Sequence, residues 1–202
     1  MNKREKFLHF LSLLLICAGI WQLTSGTWLL VKAELAQYLI SDSWQRQLSS
    51  GDIHKPWPWA DTWPVAQLKL GDDKPLVVLQ GTSGQALAFG PGMYESTAML
   101  PGDGSRAPVK VIAAHRDTHF RGLERLTAGA PVALQGSDGG WRSYLVTATR
   151  VVDSRTGSLP DFGHVGSAPG LILVTCYPFG AVDTGGPLRY LVYAEQVSTV
   201  QL

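Results

Sequence analysis

The chain is poor in cysteine, in net charge and, beyond its N-terminus, in helix signals. Its 202 residues hold two cysteines, Cys17 and Cys176, so no disulfide framework can supply the stability of the fold. Lys and Arg total 17 against 16 Asp and Glu, a formal charge of +1. That leaves no chain-wide field to hold nucleic acid phosphates. No glycine-rich phosphate loop is present, and Gly81-Thr82-Ser83-Gly84 lacks the residue between Ser and the second Gly that a nucleophile elbow requires. Charged residues are only 16% of the chain and hydrophobic ones 45%, which excludes disorder and leaves enough apolar surface for a real core. The length suits one ordinary globular domain with a modest extension.

The extension is at the N-terminus. Lys3, Arg4 and Lys6 precede an apolar run from Phe7 to Trp21, and a second apolar stretch covers Thr27 to Val31. A basic leader before an apolar run directs a chain across a membrane. As one helix, Phe7 to Val31 would span roughly 37 Å, enough for a hydrocarbon core of roughly 30 Å with some tilt. Val31-Lys32-Ala33 offers a possible cleavage site, but the apolar run is long for a signal core and its helical pattern continues to Leu39. The reading is an uncleaved single-pass anchor, N-terminus inside and the remainder outside the cytoplasm. Cys17 then belongs to the lipid. Cys176 becomes an unpaired thiol in an oxidising compartment.

Three segments follow: residues 1–40 as cytoplasmic tip and anchor helix, 41–63 as a linker rich in Pro and Trp, and 64–202 as the folded domain. Ser41-Asp42-Ser43 is read as the start of the linker. Its end, Lys55-Pro56-Trp57-Pro58-Trp59-Ala60-Asp61-Thr62-Trp63-Pro64, is too proline-rich for a helix interior. Within the domain, 22 glycines and 12 prolines in the chain punctuate short apolar runs, as in a small β barrel or sandwich. Strands are expected at 65–70, 76–80, 109–113, 132–134, 143–152, 171–175 and 189–195. Only 94–100 and 121–126 suggest short helical pieces.

Chemistry concentrates where strands end. His115-Arg116-Asp117-Thr118-His119 spaces two histidines four apart, but a zinc helix needs Glu after the first, and Arg116 stands there. His9, His54 and His164 sit in the anchor, the linker and a Gly-rich loop, and carry no comparable signal. Cys176 closes the apolar run Leu171-Ile172-Leu173-Val174-Thr175, and His115 follows the run from Val109 to Ala114. Arg189 opens the strand after Gly185-Gly186-Pro187. A reactive group at the end of a buried strand is rigidly held yet opens to a loop. Taken singly, Cys176 reads as a buried inert thiol and His115 as a hydrogen-bonded loop histidine.

Together they resemble the sortase family. The resemblance runs from about Val65 to Glu195 and rests on Ala113-Ala114-His115-Arg116-Asp117-Thr118-His119-Phe120, on Leu173-Val174-Thr175-Cys176-Tyr177-Pro178-Phe179, and on Gly185-Gly186-Pro187-Leu188-Arg189-Tyr190. The order His, Cys, Arg and the Thr-Cys pair at a strand end are family hallmarks. One departure is Ile172, where the family usually carries Thr. With the anchor, the Pro and Trp segment looks like the Gram-negative branch, class GN.

The resemblance implies an all-β fold, a closed eight-stranded barrel with short helices behind the transmembrane helix. It further implies a cysteine transpeptidase that cuts a C-terminal sorting signal of the Leu-Pro-x-Thr-Gly type between Thr and Gly and passes the acyl group to an amine of the cell envelope. The Cys176 thiolate would attack the Thr carbonyl to form a thioester, His115 would exchange the protons of leaving and incoming amines, and Arg189 would stabilise the oxyanion or hold substrate carbonyls. Thr175, Tyr177 and Pro178 are the expected substrate contacts. The loops 153–170 and 177–187 are the expected seat of side-chain selectivity. No cofactor is implied and no acidic cluster compels a calcium site.

A thiol and an imidazole left at ordinary values of about 8.5 and 6.5 hold only about 1% of the couple as thiolate and imidazolium, so turnover is expected to be slow. Two other classes stay open on the residues alone: another exported thiol enzyme, either a cysteine peptidase or an L,D-transpeptidase, whose active residues would sit in His-Gly and Gly-Cys pairs, and a membrane-anchored binding module with an inert thiol.

Overall fold

Gly51, with φ +79°, ends the first helix by turning the backbone into the left-handed region, and its amide closes on the Gln47 carbonyl at 2.9 Å. In the computed structural model, which describes residues 2–94, 109–156, 169–182 and 185–197, α1 accordingly runs over Lys3–Ser50. The chain divides inside this helix, into Met1–Leu39 and Ile40–Leu202. The described side chains of the first unit are exposed apart from buried Ala36 and half-buried Leu39. An 18-residue window of α1 has mean hydropathy 1.8, long and apolar enough to cross a membrane.

Residues 41–50, read from sequence as the beginning of an extended linker, are therefore helical. The correction has a physical cause. Ser41-Asp42-Ser43 resembles a stop signal because these side chains compete for backbone partners, but here Ser43 turns inward and donates to the His54 carbonyl at 2.5 Å. Ile40, Trp44 and Gln47 form one buried stripe at helical spacing, Trp44 being wholly buried. Asp42 and Arg46, four apart on the other face, pair at 2.7 Å. After Gly51 the chain is irregular to Trp63. Trp57 packs edge-on to Phe89 at 5.0 Å, whereas Trp59 is 80% exposed.

Eight strands follow: β1 Pro64–Leu70, β2 Leu76–Gln80, β3 Gly92–Met93, β4 Val109–Ala113, β5 Pro131–Gln135, β6 Trp141–Asp153, β7 Gly170–Cys176 and β8 Leu188–Gln196. They close into a barrel in the order β1-β2-β3-β4-β7-β8-β6-β5. The expected all-β closed eight-stranded barrel is the observed one. Most pairs are antiparallel, but β2 with β3 and β4 with β7 run parallel. Two elements escaped the sequence reading. The helix α2, Gly84–Phe89, is only six residues long and starts at Ser83, whose hydroxyl accepts the Ala86 amide at 3.1 Å. Strand β3 has two residues. Its Gly92 lies so close to Gly81 that a Cβ would come within 2.2 Å of the Gly81 carbonyl oxygen. The expected turn of helix at 121–126 is a 3-10 turn at Arg121–Arg125. The piece expected at 94–100 lies, after Tyr94, outside the described residues.

Strand β7 shows why the fold places a site at this end. It lies between β4 and β8 and buries both faces, which is why it reads as an unbroken apolar run. Leu171 and Leu173 join the barrel interior with Ile112, Ala114 and Val192. Ile172 joins a second cluster on the opposite face with Val109, Val111, Leu191 and Tyr193. Ile172, which departs from the usual Thr, thus packs in a largely apolar cluster.

The packing of residues 40–50 within the second unit is directly testable. Replacing fully buried Trp44 with Ala should cost about 3–5 kcal/mol in denaturant unfolding of the domain, while Trp59→Ala should stay within about 0.5 kcal/mol. Equal effects would mean that residues 40–50 do not belong to the cooperative unit.

Candidate functional site

Side chains alternate across a strand, so a residue's face follows from its neighbours. On β7, Cys176 shares the face of Ile172 and Val174. On β8, Arg189 shares the face of Leu191 and Tyr193 and is the register partner of Cys176. On β4, Val109 and Val111 lie on that same face, and continuing their alternation by two steps reaches His115. The parallel register sets Ala113 against Val174, and the Ala114 amide extends it by donating to the Val174 carbonyl at 3.2 Å. Cys176 and Arg189 thus face each other in register on one face of β7 and β8, and His115 stands two residues beyond β4, at the same end of the barrel.

Their exposure differs. Cys176 and Arg189 are half-buried, and His115 is exposed. Arg189 Nη1 donates to the Gly186 carbonyl at 2.5 Å and the Leu188 carbonyl at 2.9 Å. Ser154 steadies the approach to β8, since both its amide and its hydroxyl donate to the Pro187 carbonyl, at 2.9 and 2.7 Å. Cys17 lies exposed on α1, and both cysteines are free.

Thr175, expected among the substrate contacts, is buried with its side chain on the opposite strand face from Cys176. Its hydroxyl donates to the Ala114 carbonyl at 2.7 Å. It fastens the strand carrying the thiol to the residue before His115. Tyr177 continues the antiparallel ladder, donating its amide to the Leu188 carbonyl at 3.0 Å. Its ring stacks on Tyr190 at 6.2 Å, and Phe179 meets Tyr190 edge-on at 5.2 Å. Pro178, joined to Tyr177 by a cis peptide bond, is exposed.

Sequence reasoning gave Arg116 no role beyond spoiling a zinc motif. The structure buries it to 6% exposure and turns its guanidinium toward the loop after Cys176. The signal that could have found it is an arginine next to the candidate histidine, in a chain with few charges. His119 is half-buried, and its Nδ1 lies 3.3 Å from the Thr118 hydroxyl. Among the described residues no three His, Cys, Asp or Glu side chains gather as a metal site. A surface cavity of about 350 Å³ opens between the His115 turn and the Cys176 loop, lined by Arg116, Asp117, Arg121, Glu124, Phe179 and Gly180. Neither it nor two others, of about 340 and 370 Å³, is lined by His115, Cys176 or Arg189.

A sortase-domain family model matches residues 70–197. The chain belongs to the sortase family. Sortases are cysteine transpeptidases that act on proteins bearing sorting signals and pass them to amine acceptors, and the L,D-transpeptidase alternative falls with this assignment. Solved sortases share the fold. Sortase A from Corynebacterium diphtheriae is 24% identical, with TM-score 0.54 over 69% of this chain and 63% of its own. Sortase C1 from Streptococcus agalactiae is 22% identical, with TM-score 0.56 over 68% of this chain and 69% of its own. Sortase C-1 from Actinomyces oris is 24% identical, with TM-score 0.52 over 67% and 73%. This chain thus spans under two thirds of the Corynebacterium structure. No curated protein matches it.

The histidine beside the site makes a pH prediction. Burial lowers the His119 imidazole below its ordinary 6.5, and the nearby His115 adds to the shift. Because the unfolded chain then binds this proton more readily than the folded one, His119 costs nothing well above pH 6.5 and destabilises the fold as pH falls below it. His119→Gln should flatten the acid-side fall of the unfolding midpoint between pH 7.5 and 5. An unchanged slope would remove His119 from the acid sensitivity.

Proposed function

We propose that this sortase cleaves a C-terminal sorting signal of the Leu-Pro-x-Thr-Gly type through a Cys176 thioester and transfers the acyl group to an amine. The observation that carries the reading is the register pairing of Cys176 with Arg189 at the end of the barrel where β4 leads into His115. A nucleophile, an imidazole that can give and take a proton and a permanent cation are what acyl transfer through a tetrahedral intermediate requires.

Cys176 attacks the Thr carbonyl. His115, exposed at the rim, protonates the departing amine and later accepts the proton of the incoming one. Arg189 makes bonds to two backbone carbonyls that can be exchanged for the substrate's carbonyl oxygens, one hydrogen bond for another, so engagement loses little free energy. Thr175 serves as the lock between β4 and β7. Tyr177 and Pro178 border the thiol and are assigned to the substrate's backbone and proline. The cavity beside Arg121 and Glu124 is the approach for the acceptor. The apolar half of α1 anchors the enzyme in the inner membrane with its N-terminus in the cytoplasm, in keeping with Lys3, Arg4 and Lys6. Residues 1–39 hold that anchor, and 64–202 hold the catalytic barrel. The segment rich in Pro and Trp before β1 supports placement in the Gram-negative branch.

A sorting-signal peptide should leave its fragment up to Thr on the Cys176-containing peptide, detected by mass, and an added amine should convert it to a new amide. Cys176→Ala should abolish the adduct. His115→Ala should lower kcat by about 10²–10⁴ and Arg189→Ala by about 10²–10³. Absence of an adduct on Cys176 would defeat the enzyme mechanism, and release to water alone in the presence of amine would defeat transpeptidation.

A further inference from the structure

Arg116 is the one buried charged residue among the described residues, and it stands directly after His115. Its Nη1 donates to the Pro178 carbonyl at 2.7 Å, and its Nη2 donates to the Ala181 carbonyl at 2.7 Å. Its Nε faces the Asp117 carboxylate at 3.2 and 3.3 Å, and that carboxylate is largely exposed. The two carbonyls belong to the loop that leaves Cys176, and they lie 62 and 65 residues along the chain from the arginine. One planar group therefore ties the turn carrying the candidate acid and base to the loop carrying the candidate nucleophile. We propose that Arg116 is a positioning residue for the transfer reaction, fixing the distance between His115 and Cys176.

Stability alone does not account for a guanidinium here. Taking a charge out of water costs several kcal/mol, and well-packed apolar residues of similar volume often replace such groups with no loss. What an apolar side chain cannot supply is a rigid fork whose two outer nitrogens meet two different carbonyls. The strands themselves end at Ala113 and Cys176, so beyond them the ladder no longer sets the separation of the two loops. Thr175 holds the strand side of the joint and Arg116 the loop side. Lysine keeps the charge but offers a single nitrogen on a flexible stem, so it cannot hold both carbonyls in one geometry.

The role rests on the proposed transfer activity, and its test separates the two. Full-length protein in detergent micelles would be prepared as wild type, Arg116→Met and Arg116→Lys, with folded fraction followed by near-ultraviolet circular dichroism. Peptide transfer would be expressed per Cys176 thiol titrated. Alkylation of Cys176 by iodoacetamide, read on its own proteolytic peptide, needs the thiol alone, whereas transfer also needs His115 at the right distance. Both variants should lose about 10²-fold in kcat with KM within about threefold, while alkylation changes by less than about threefold, since a misplacement of about 1 Å is enough to cost that much in rate. Folded variants that transfer as fast as wild type would overturn the positioning role. So would a full rate in Arg116→Lys, or alkylation and transfer falling by the same factor. Wild-type protein that forms no acyl-enzyme would overturn the transfer reading and this role together.

Discussion

The parallel pairing of β4 with β7 is the constraint on which the site depends. It sets Ala113 against Val174, 61 positions further along the chain, and the residues at the ends of the two strands inherit that register. Parallel strands cannot be joined by a tight turn, so the pairing is held by burial instead of by connection. Both faces of β7 supply it: Leu171 and Leu173 in the barrel interior, Ile172 in the second cluster. A slip of one residue would reverse both faces at once, sending apolar side chains to the wrong layer and Cys176 into the position of Thr175. The packing that stabilises the barrel is therefore also what fixes which side the thiol faces.

Residues 114 to 116 divide three tasks among three neighbours. Ala114 lies in the core and its carbonyl receives the Thr175 hydroxyl. His115 is exposed at the rim. Arg116 returns inward and holds the carbonyls of Pro178 and Ala181. The far end of the turn is pinned by Phe120, wholly buried, whose amide donates to the His115 carbonyl at 3.0 Å. The histidine is thus exposed on a backbone that is not free to move, a combination suited to a group that must meet solvent-borne protons and a fixed thiol.

How much of this was legible in sequence follows from what sequence patterns record. Strands β2 and β4 were read to the residue, and β1 and β5 to β8 to within two, because their apolar runs are bounded by Gly and Pro. Cys176, His115 and Arg189 were legible as residues at strand ends; their common face was not, because it requires the register. The continuation of α1 through Ser50 was hidden by Ser41-Asp42-Ser43, whose local preference for a cap gives way to the burial of Ile40 and Trp44. Helix α2 and strand β3 are too short to show a period. The bonds that Thr175 and Arg116 make to distant carbonyls are tertiary facts that no sequence pattern records.

The same distinction separates two kinds of polar residue around the thiol. Thr175 and Arg116 are buried and bonded to backbone carbonyls of partners at least 61 residues away, so they join parts of the chain. Arg189 also bonds to carbonyls, but to those of Gly186 and Leu188, its own immediate surroundings. Such local bonds order only the side chain that makes them and can be surrendered without loosening the barrel. A cation destined for a substrate needs that freedom, and a cation that maintains a site must lack it. Arg189, in register with Cys176, and Arg116, bonded to the loop after it, therefore have opposite designs.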